Sequence, residues 1–242
     1  MENTVKQSMI EFEQKLVSNN AGIRTELKKL LELVVQLPEG PRSDYSVQIA
    51  KMIYKQALEA YHQSDFFRLV DLQDCARTVF FDLSYIEETG MVFLQIMKGM
   101  LELKIQMGEN ENLEIYQEDL QEALVLCPME EETGLEFMLC YANLQANCSM
   151  AGRNKNALPP TMSFVEKNID SMEAISAYFP MNKSINLIYC RSLAATTFEL
   201  HNHPNREMYK KCAGLLQNLV STRKCDVPKP VADFLEWIGN GG

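Results

Sequence analysis

The sequence has few of the residues and motifs that carry catalytic chemistry. Its 242 residues include only three histidines. It contains no glycine-rich phosphate loop, no Gly-x-Ser-x-Gly and no His-Glu-x-x-His motif. His201 and His203 share a predicted turn between helices that carry Cys190 and Cys212, but no Cys-x-x-Cys accompanies them, and a zinc site needs three or four convergent ligands. We therefore expect no enzyme, no cofactor and no metal ion.

Long apolar runs are also missing. The most apolar stretch, Met91–Met107, contains Gln95, Lys98, Glu102 and Lys104, so it is a poor membrane span. The beginning of the chain lacks the apolar segment of a signal peptide. These absences predict a soluble intracellular protein, cytoplasmic or alternatively nuclear, with no membrane partner.

The cysteines do not suggest a disulfide framework. Their number, seven, is odd, and most of them fall at apolar helical positions. Without a secretory signal, such cysteines are expected to be reduced and to pack in the core. The seven are Cys75, Cys127, Cys140, Cys148, Cys190, Cys212 and Cys225.

Strand patterns are absent, and helical ones fill the chain. No stretch alternates with period two for long enough to be a strand, so we predict an all-α protein of about eleven helices in consecutive hairpins. Met91–Met107 is apolar nearly all round, which predicts a central buried helix. Gly99 in its middle costs roughly 1 kcal/mol relative to alanine. We therefore expect another helix to approach closely at Gly99.

An internal repeat is visible at an offset of 44 residues. The sequence Glu-Glu-Thr-Gly occurs at 87–90 and again at 131–134, and Gly-x-Asn occurs at 108–110 and at 152–154. A shared beginning, a shared end and matched apolar positions predict two equivalent helices. The aligned apolar pairs are Met91 and Leu135, Phe93 and Phe137, Leu94 and Met138, Met97 and Tyr141, and Met100 and Leu144.

The predicted hairpins end in a regular way between residues 45 and 222. Gly108 and Gly152 follow first helices, and Pro128 and Pro180 follow second helices. In this architecture the chain resembles the tetratricopeptide-like (TPR-like) helical repeat superfamily. The resemblance implies stacked antiparallel hairpins that form a short right-handed solenoid. It also implies binding of peptides or other proteins on a concave surface.

The chain divides, by prediction, into three segments of one structural domain. These are an N-terminal hairpin at 1–41, a helical-repeat segment at 42–225, and a capping helix with a tail at 226–242. Pro38–Pro41 is expected to stop the second helix, followed by a loop through Ser43 and Asp44. A last helix over Val231–Ile238 is expected to be anchored by Phe234 and Trp237.

The charge of the chain is unevenly distributed. Between Asp82 and Glu136 there are fourteen acidic residues and only two lysines. Such a field attracts basic partners and repels nucleic acid, which is therefore an unlikely ligand. The alternative is a solvated surface that keeps the protein soluble.

The adjacent aromatic pairs Phe66–Phe67 and Phe80–Phe81 are candidates for packing or for a groove. Because adjacent side chains on a helix point about 100° apart, we do not expect both members of a pair to serve one contact. The candidate partner-binding residues are Glu111, Glu114, Glu118, Phe67, Phe81 and Tyr85.

These patterns predict a non-catalytic scaffold or adaptor. Its helical-repeat surface would bind a peptide or a partner subunit, with a basic segment at the acidic central repeat. The alternative is a regulatory sensor that responds to a peptide or another ligand.

Overall fold

The computed structural model describes residues 2–18, 22–83, 86–107, 118–120, 122–124, 129–148, 162–223 and 227–239. Over these residues the protein is all-α, as predicted, with ten α-helices and one π-helical turn. Residues 118–120 and 122–124 are helical as well. The helices are α1 Glu2–Val17, α2 Ile23–Val34, α3 Glu39–His62, α4 Phe66–Thr78, the π turn Val79–Leu83, α5 Glu87–Met107, α6 Glu131–Cys148, α7 Met162–Tyr178, α8 Lys183–Leu200, α9 Arg206–Arg223 and α10 Lys229–Gly239.

The chain forms two compact units. The first comprises Met1–Lys104 with Val125–Pro128, and the second comprises Ile105–Leu124 with Met129–Gly242. The boundary between them lies within the predicted repeat segment 42–225. None of the described helices combines the length and the apolar character that crossing a membrane requires.

In the first unit, α1 pairs with α2 and α3 pairs with α4. Contacts between α1 and α3 and between α2 and α4 place the two hairpins side by side. The core between them is mostly apolar, because each helix turns one apolar stripe inward. Its largest buried side chains are Phe12, Leu16, Leu27, Leu30, Ile49, Ile53 and Leu69.

The prediction of a loop through Ser43 and Asp44 is wrong. Helix α3 already begins at Glu39, so Ser43 and Asp44 are helical. Pro38 precedes the helix, and Pro41 lies in its first turn, where backbone N–H groups have no intrahelical partner in any case. The amide of Arg42 donates to the carbonyl of Pro38 at 2.9 Å, which closes the first turn. The prolines therefore start α3.

The two members of the Phe80–Phe81 pair do serve one contact, contrary to the prediction. Helix α4 ends at Thr78 and continues as the π turn. The ring centroid of Phe93 on α5 lies 6.0 Å from that of Phe80 and 5.6 Å from that of Phe81. A π turn has more residues per turn than an α-helix, so adjacent side chains diverge less.

In the second unit, α8 is the central helix and contacts α6, α7, α9 and α10. A chain of buried polar groups joins three of these helices. The amide of Asn168 on α7 donates to Gln145 Oε1 on α6 at 2.8 Å. Gln145 Nε2 in turn donates to Thr196 Oγ1 on α8 at 3.0 Å. These hydrogen bonds are needed because a buried polar group without a partner is costly.

The predicted last helix is present as α10. Its Phe234 contacts Phe198 of α8, with 5.8 Å between ring centroids. Trp237 contacts His201 at 4.6 Å. The two predicted anchors thus hold α10 against the end of α8.

The predicted equivalence of α5 and α6 agrees with the structure. The amide of Gly90 donates to Ile86 at 3.0 Å, and the amide of Gly134 donates to Glu130 at 2.9 Å, so the two helices begin alike. Thr89 is buried, and so is its counterpart Thr133. Four aligned apolar pairs are fully enclosed: Phe93 and Phe137, Leu94 and Met138, Met97 and Tyr141, and Met100 and Leu144. The Gly-x-Asn motifs lie outside the described residues.

Candidate interaction grooves

A groove opens between α3 and α5 in the first unit, with a volume of about 340 Å³. Three polar residues of α5 lie here together, because Gln95, Lys98 and Glu102 are spaced i, i+3 and i+7 and so share one face. Helix α3 supplies the opposite wall with Tyr54, Ala57, Leu58 and Tyr61. We call this site the α3–α5 groove.

Gly99 lies in the lining of the α3–α5 groove. A Cβ atom at this position would lie 3.3 Å from Tyr61 Cδ2 and 3.7 Å from Leu69 Cδ2. The predicted close approach at Gly99 is therefore present, and side chains of α3 and α4 provide it. A larger residue at this position would push the Tyr61 ring into the groove.

The groove combines apolar walls with one acidic group. Tyr61 Oη donates a hydrogen bond to Glu102 Oε2 at 2.8 Å, which fixes the carboxylate beside the tyrosine ring. Leu58 is 41% exposed although it is aliphatic and lies in a concave site. Such a site suits a side chain that has an apolar stem and a polar or cationic end.

Replacement of Gly99 by alanine is expected to change the free energy of unfolding by less than about 1 kcal/mol. The gain in helix propensity is offset by the cost of moving the Tyr61 ring a few tenths of an ångström. The ring can move because it borders open space, but the move strains its bond to Glu102. Chemical denaturation of the wild type and of Gly99→Ala measures the difference. Destabilisation of more than about 2 kcal/mol would show that the Tyr61 ring cannot move aside.

A second groove, of about 550 Å³, lies between α2 and α4 in the same unit. Leu27, Leu31 and Val35 form its apolar floor. The charged side chains at its rim have both signs: Arg24, Lys28 and Arg77 against Glu32, Asp74 and Asp82. Arg24 is already bound to Asp71 at 2.7 Å and to Asp74 at 2.6 Å. The charge of Arg24 is therefore already balanced within this groove.

Two of the three predicted aromatic candidates, Phe67 and Phe81, do not line the α3–α5 groove. Phe67 on α4 is 84% exposed, and its ring edge contacts Phe66. Phe81 is half-buried beside Phe93, and the guanidinium carbon of Arg77 lies 5.0 Å from its ring centroid. Tyr85 lies outside the described residues.

One of the three predicted acidic candidates can be placed. Glu118 is exposed, and its Oε1 lies 2.8 Å from Lys167 Nζ on α7. Its charge is therefore already balanced within the second unit. Glu111 and Glu114 lie outside the residues that the structure describes.

Sequence reasoning missed the residues that line the α3–α5 groove. Two signals were available. Tyr54, Leu58 and Tyr61 recur at i, i+4 and i+7 on α3, and the polar residues of α5 also share one face. Neither signal shows that the two faces meet.

Four of the seven cysteines are core residues, as predicted. Cys75, Cys140, Cys190 and Cys212 are buried and free of disulfides. Burial raises the pKa of Cys75 and of Cys212 to about 12, so neither thiol ionises near neutral pH. Within the described ranges, no cluster of three or more His, Cys, Asp or Glu side chains could hold a metal ion.

Comparisons of the chain with protein-family models, with curated proteins and with solved structures found no match.

Proposed function

We propose that this protein is a non-catalytic scaffold or adaptor that binds a peptide or a partner subunit on a helical-repeat surface. The α3–α5 groove carries the proposal. It is concave and open, and it combines exposed aliphatic surface, two tyrosine rings and an ordered carboxylate. Tyrosine rings and apolar surface are typical of the buried part of a protein–protein interface.

The repeat supports a solenoid-like arrangement of the kind found in the TPR-like superfamily. The equivalent helices α5 and α6 bury the same positions. A groove lies between α3 and α5 in the first unit, and another lies between α6 and α8 in the second unit. Repeated hairpins create extended binding surfaces in this way. The solenoid and its handedness are part of the proposal.

The proposed partner presents a basic segment. A lysine or arginine could lay its stem on Tyr54 and Leu58 and direct its cation to Glu102. Lys98 offsets Glu102 inside the groove, so attraction over longer distances has to come from other acids of this unit. Asp82, Glu87 and Glu88 are exposed and supply such a field.

The proposal is tested by affinity capture with two matched variants. Leu58→Lys puts an ammonium group on the apolar wall of the groove, where it would repel the cation of a bound basic segment. The control is Leu139→Lys, which changes a leucine of similar exposure on α6, 45% against 41%. Proteins captured from cell extract by the wild type are identified by mass spectrometry, and the affinity of the best-captured one is then measured for all three proteins.

We expect Leu58→Lys to weaken binding by at least about tenfold, because two positive charges would be brought together in the contact. Leu139→Lys should bind as the wild type does. Binding that is equally strong in all three proteins would exclude the α3–α5 groove as the site.

A further inference from the structure

The second unit has an exposed surface on α8. On α8, Arg191, Ala195, Phe198 and Glu199 are all exposed, and Phe198 is 67% exposed although it is a large aromatic residue. This outer face of α8 borders a groove of about 360 Å³ against α6. The lining is mostly small: Ala142, Ala146, Ser192, Ala195 and Thr196, together with Gln145, Arg191 and Glu199. We call this site the α6–α8 groove.

The two charges on this face are placed symmetrically. Arg191 precedes Ala195 by four residues, and Glu199 follows it by four, so each lies about 6 Å along the helix axis from the centre. The ion pairs found among the described residues include neither of them. The face thus carries one positive end, one negative end and a small residue at the midpoint.

We propose that a second copy of this chain docks on α8, antiparallel to it, across a two-fold axis near Ala195. In such a contact, a residue that lies a given number of positions before Ala195 faces the residue that lies the same number of positions after Ala195 in the second copy. Arg191 then faces Glu199 of the second copy, and Glu199 faces Arg191 of the second copy. Ala195 at the crossing allows the two helix axes to approach to about 8 Å, the lower end of the usual range.

The same register explains the exposed phenylalanine. Phe198 lies three residues after Ala195, so it faces the position three residues before Ala195 in the second copy, which is Ser192. Ser192 lines the α6–α8 groove together with Ala142 and Ala146, whose short side chains leave room for a ring. Phe198 already contacts Phe234 of α10, and the exposed remainder of its ring would leave water and enter the groove of the other copy.

The charge pattern selects a second copy as the occupant. A binding face for a basic partner would carry acidic residues, and a binding face for an acidic partner would carry basic residues. One charge of each sign, at equal distances from the centre, is complementary to itself when it is turned by two-fold symmetry. The inference does not depend on the proposed function, which uses the α3–α5 groove of the first unit.

Reversal of single charges tests the contact. The mass of the wild type in solution, measured by sedimentation over a range of concentrations, should show a dimer. Arg191→Glu and Glu199→Arg each create two like-charged pairs in the symmetric contact. Each should raise the dissociation constant of the dimer by about tenfold. The double variant R191E/E199R should restore it.

Mixing the two single variants is the decisive measurement. In a heterodimer of Arg191→Glu with Glu199→Arg, both pairs again join opposite charges, so the mixture should dimerise at concentrations at which each variant alone is mostly monomeric. Recovery on mixing also shows that both variants are folded. A wild type that stays monomeric, single variants that dimerise normally, or a mixture that stays monomeric would each overturn the proposal.

The aromatic part of the contact has its own test. Phe198→Ala should weaken the dimer by about tenfold or more, since a buried ring is lost from each copy. Phe234→Ala is the control, because it removes the same ring contact with Phe198 inside the unit and leaves Phe198 available to the second copy. An equal effect of both substitutions, or no effect of Phe198→Ala, would contradict this placement of α8.

Discussion

Replacement of Gly134 by alanine is expected to lower the free energy of unfolding by about 2 kcal/mol. A Cβ atom at this position in α6 would lie 2.3 Å from Cε2 and 2.8 Å from Cδ2 of Phe179. Phe179 is buried, and its ring already packs against Tyr178, with centroids 4.8 Å apart. The ring has to move, and the cost exceeds the roughly 1 kcal/mol that alanine gains in a helix.

Gly214→Ala is the matched control for this substitution. Gly214 lies in the interior of α9 in the same unit, and a Cβ atom there would meet nothing within 4 Å. It should stabilise the protein by up to about 1 kcal/mol, because only the helix propensity changes. Chemical denaturation of the wild type and both variants gives the comparison. Equal stabilities for Gly134→Ala and the wild type would show that Phe179 moves at no cost.

Truncation of Phe93 or of Phe137 to alanine is expected to cost about 3–5 kcal/mol each. Both rings are fully buried at equivalent positions of α5 and α6. Phe93 packs on Phe80 and Phe81, and Phe137 stacks on Tyr141 with centroids 6.5 Å apart. Each substitution therefore removes a ring from an enclosed cluster and leaves a cavity.

The same denaturation experiment measures these effects. Phe67→Ala serves as the control and should change the free energy of unfolding by no more than about 0.5 kcal/mol, because Phe67 is exposed. A cost below about 1 kcal/mol for Phe93→Ala would mean that the core around α5 refills the space or is looser than its burial indicates. A large cost for Phe93→Ala together with a small one for Phe137→Ala would argue against the equivalence of α5 and α6.

The sequence predicted helices and the repeat well because both depend on local periodicity. The position of Phe93 on the apolar face of its helix predicts that it is buried. Phe137 lies 44 residues later at the equivalent position, so the same prediction applies to it. The beginning of α3 was predicted wrongly for an equally local reason. Prolines stop a helix or start one depending on the turn in which they lie, and Pro38–Pro41 was assigned the wrong role.

The candidate site was less predictable because it is formed by helices that are distant in sequence. Tyr61 and Glu102 are 41 residues apart, yet they share a hydrogen bond. The predicted candidates were chosen for charge and for adjacent aromatic residues, which are properties of short stretches. Only the packing of α3 beside α5 shows that Tyr61 and Glu102 belong to one groove.

The chain of hydrogen bonds from Asn168 through Gln145 to Thr196 has a consequence for how α6, α7 and α8 can vary. A slide of one helix by a single turn would separate these groups and leave buried donors and acceptors unpaired, at about 1–3 kcal/mol each. Apolar contacts tolerate such slides much better. The three polar residues therefore fix the register of the three helices, and a change at one of them is expected to require compensating changes at the other two.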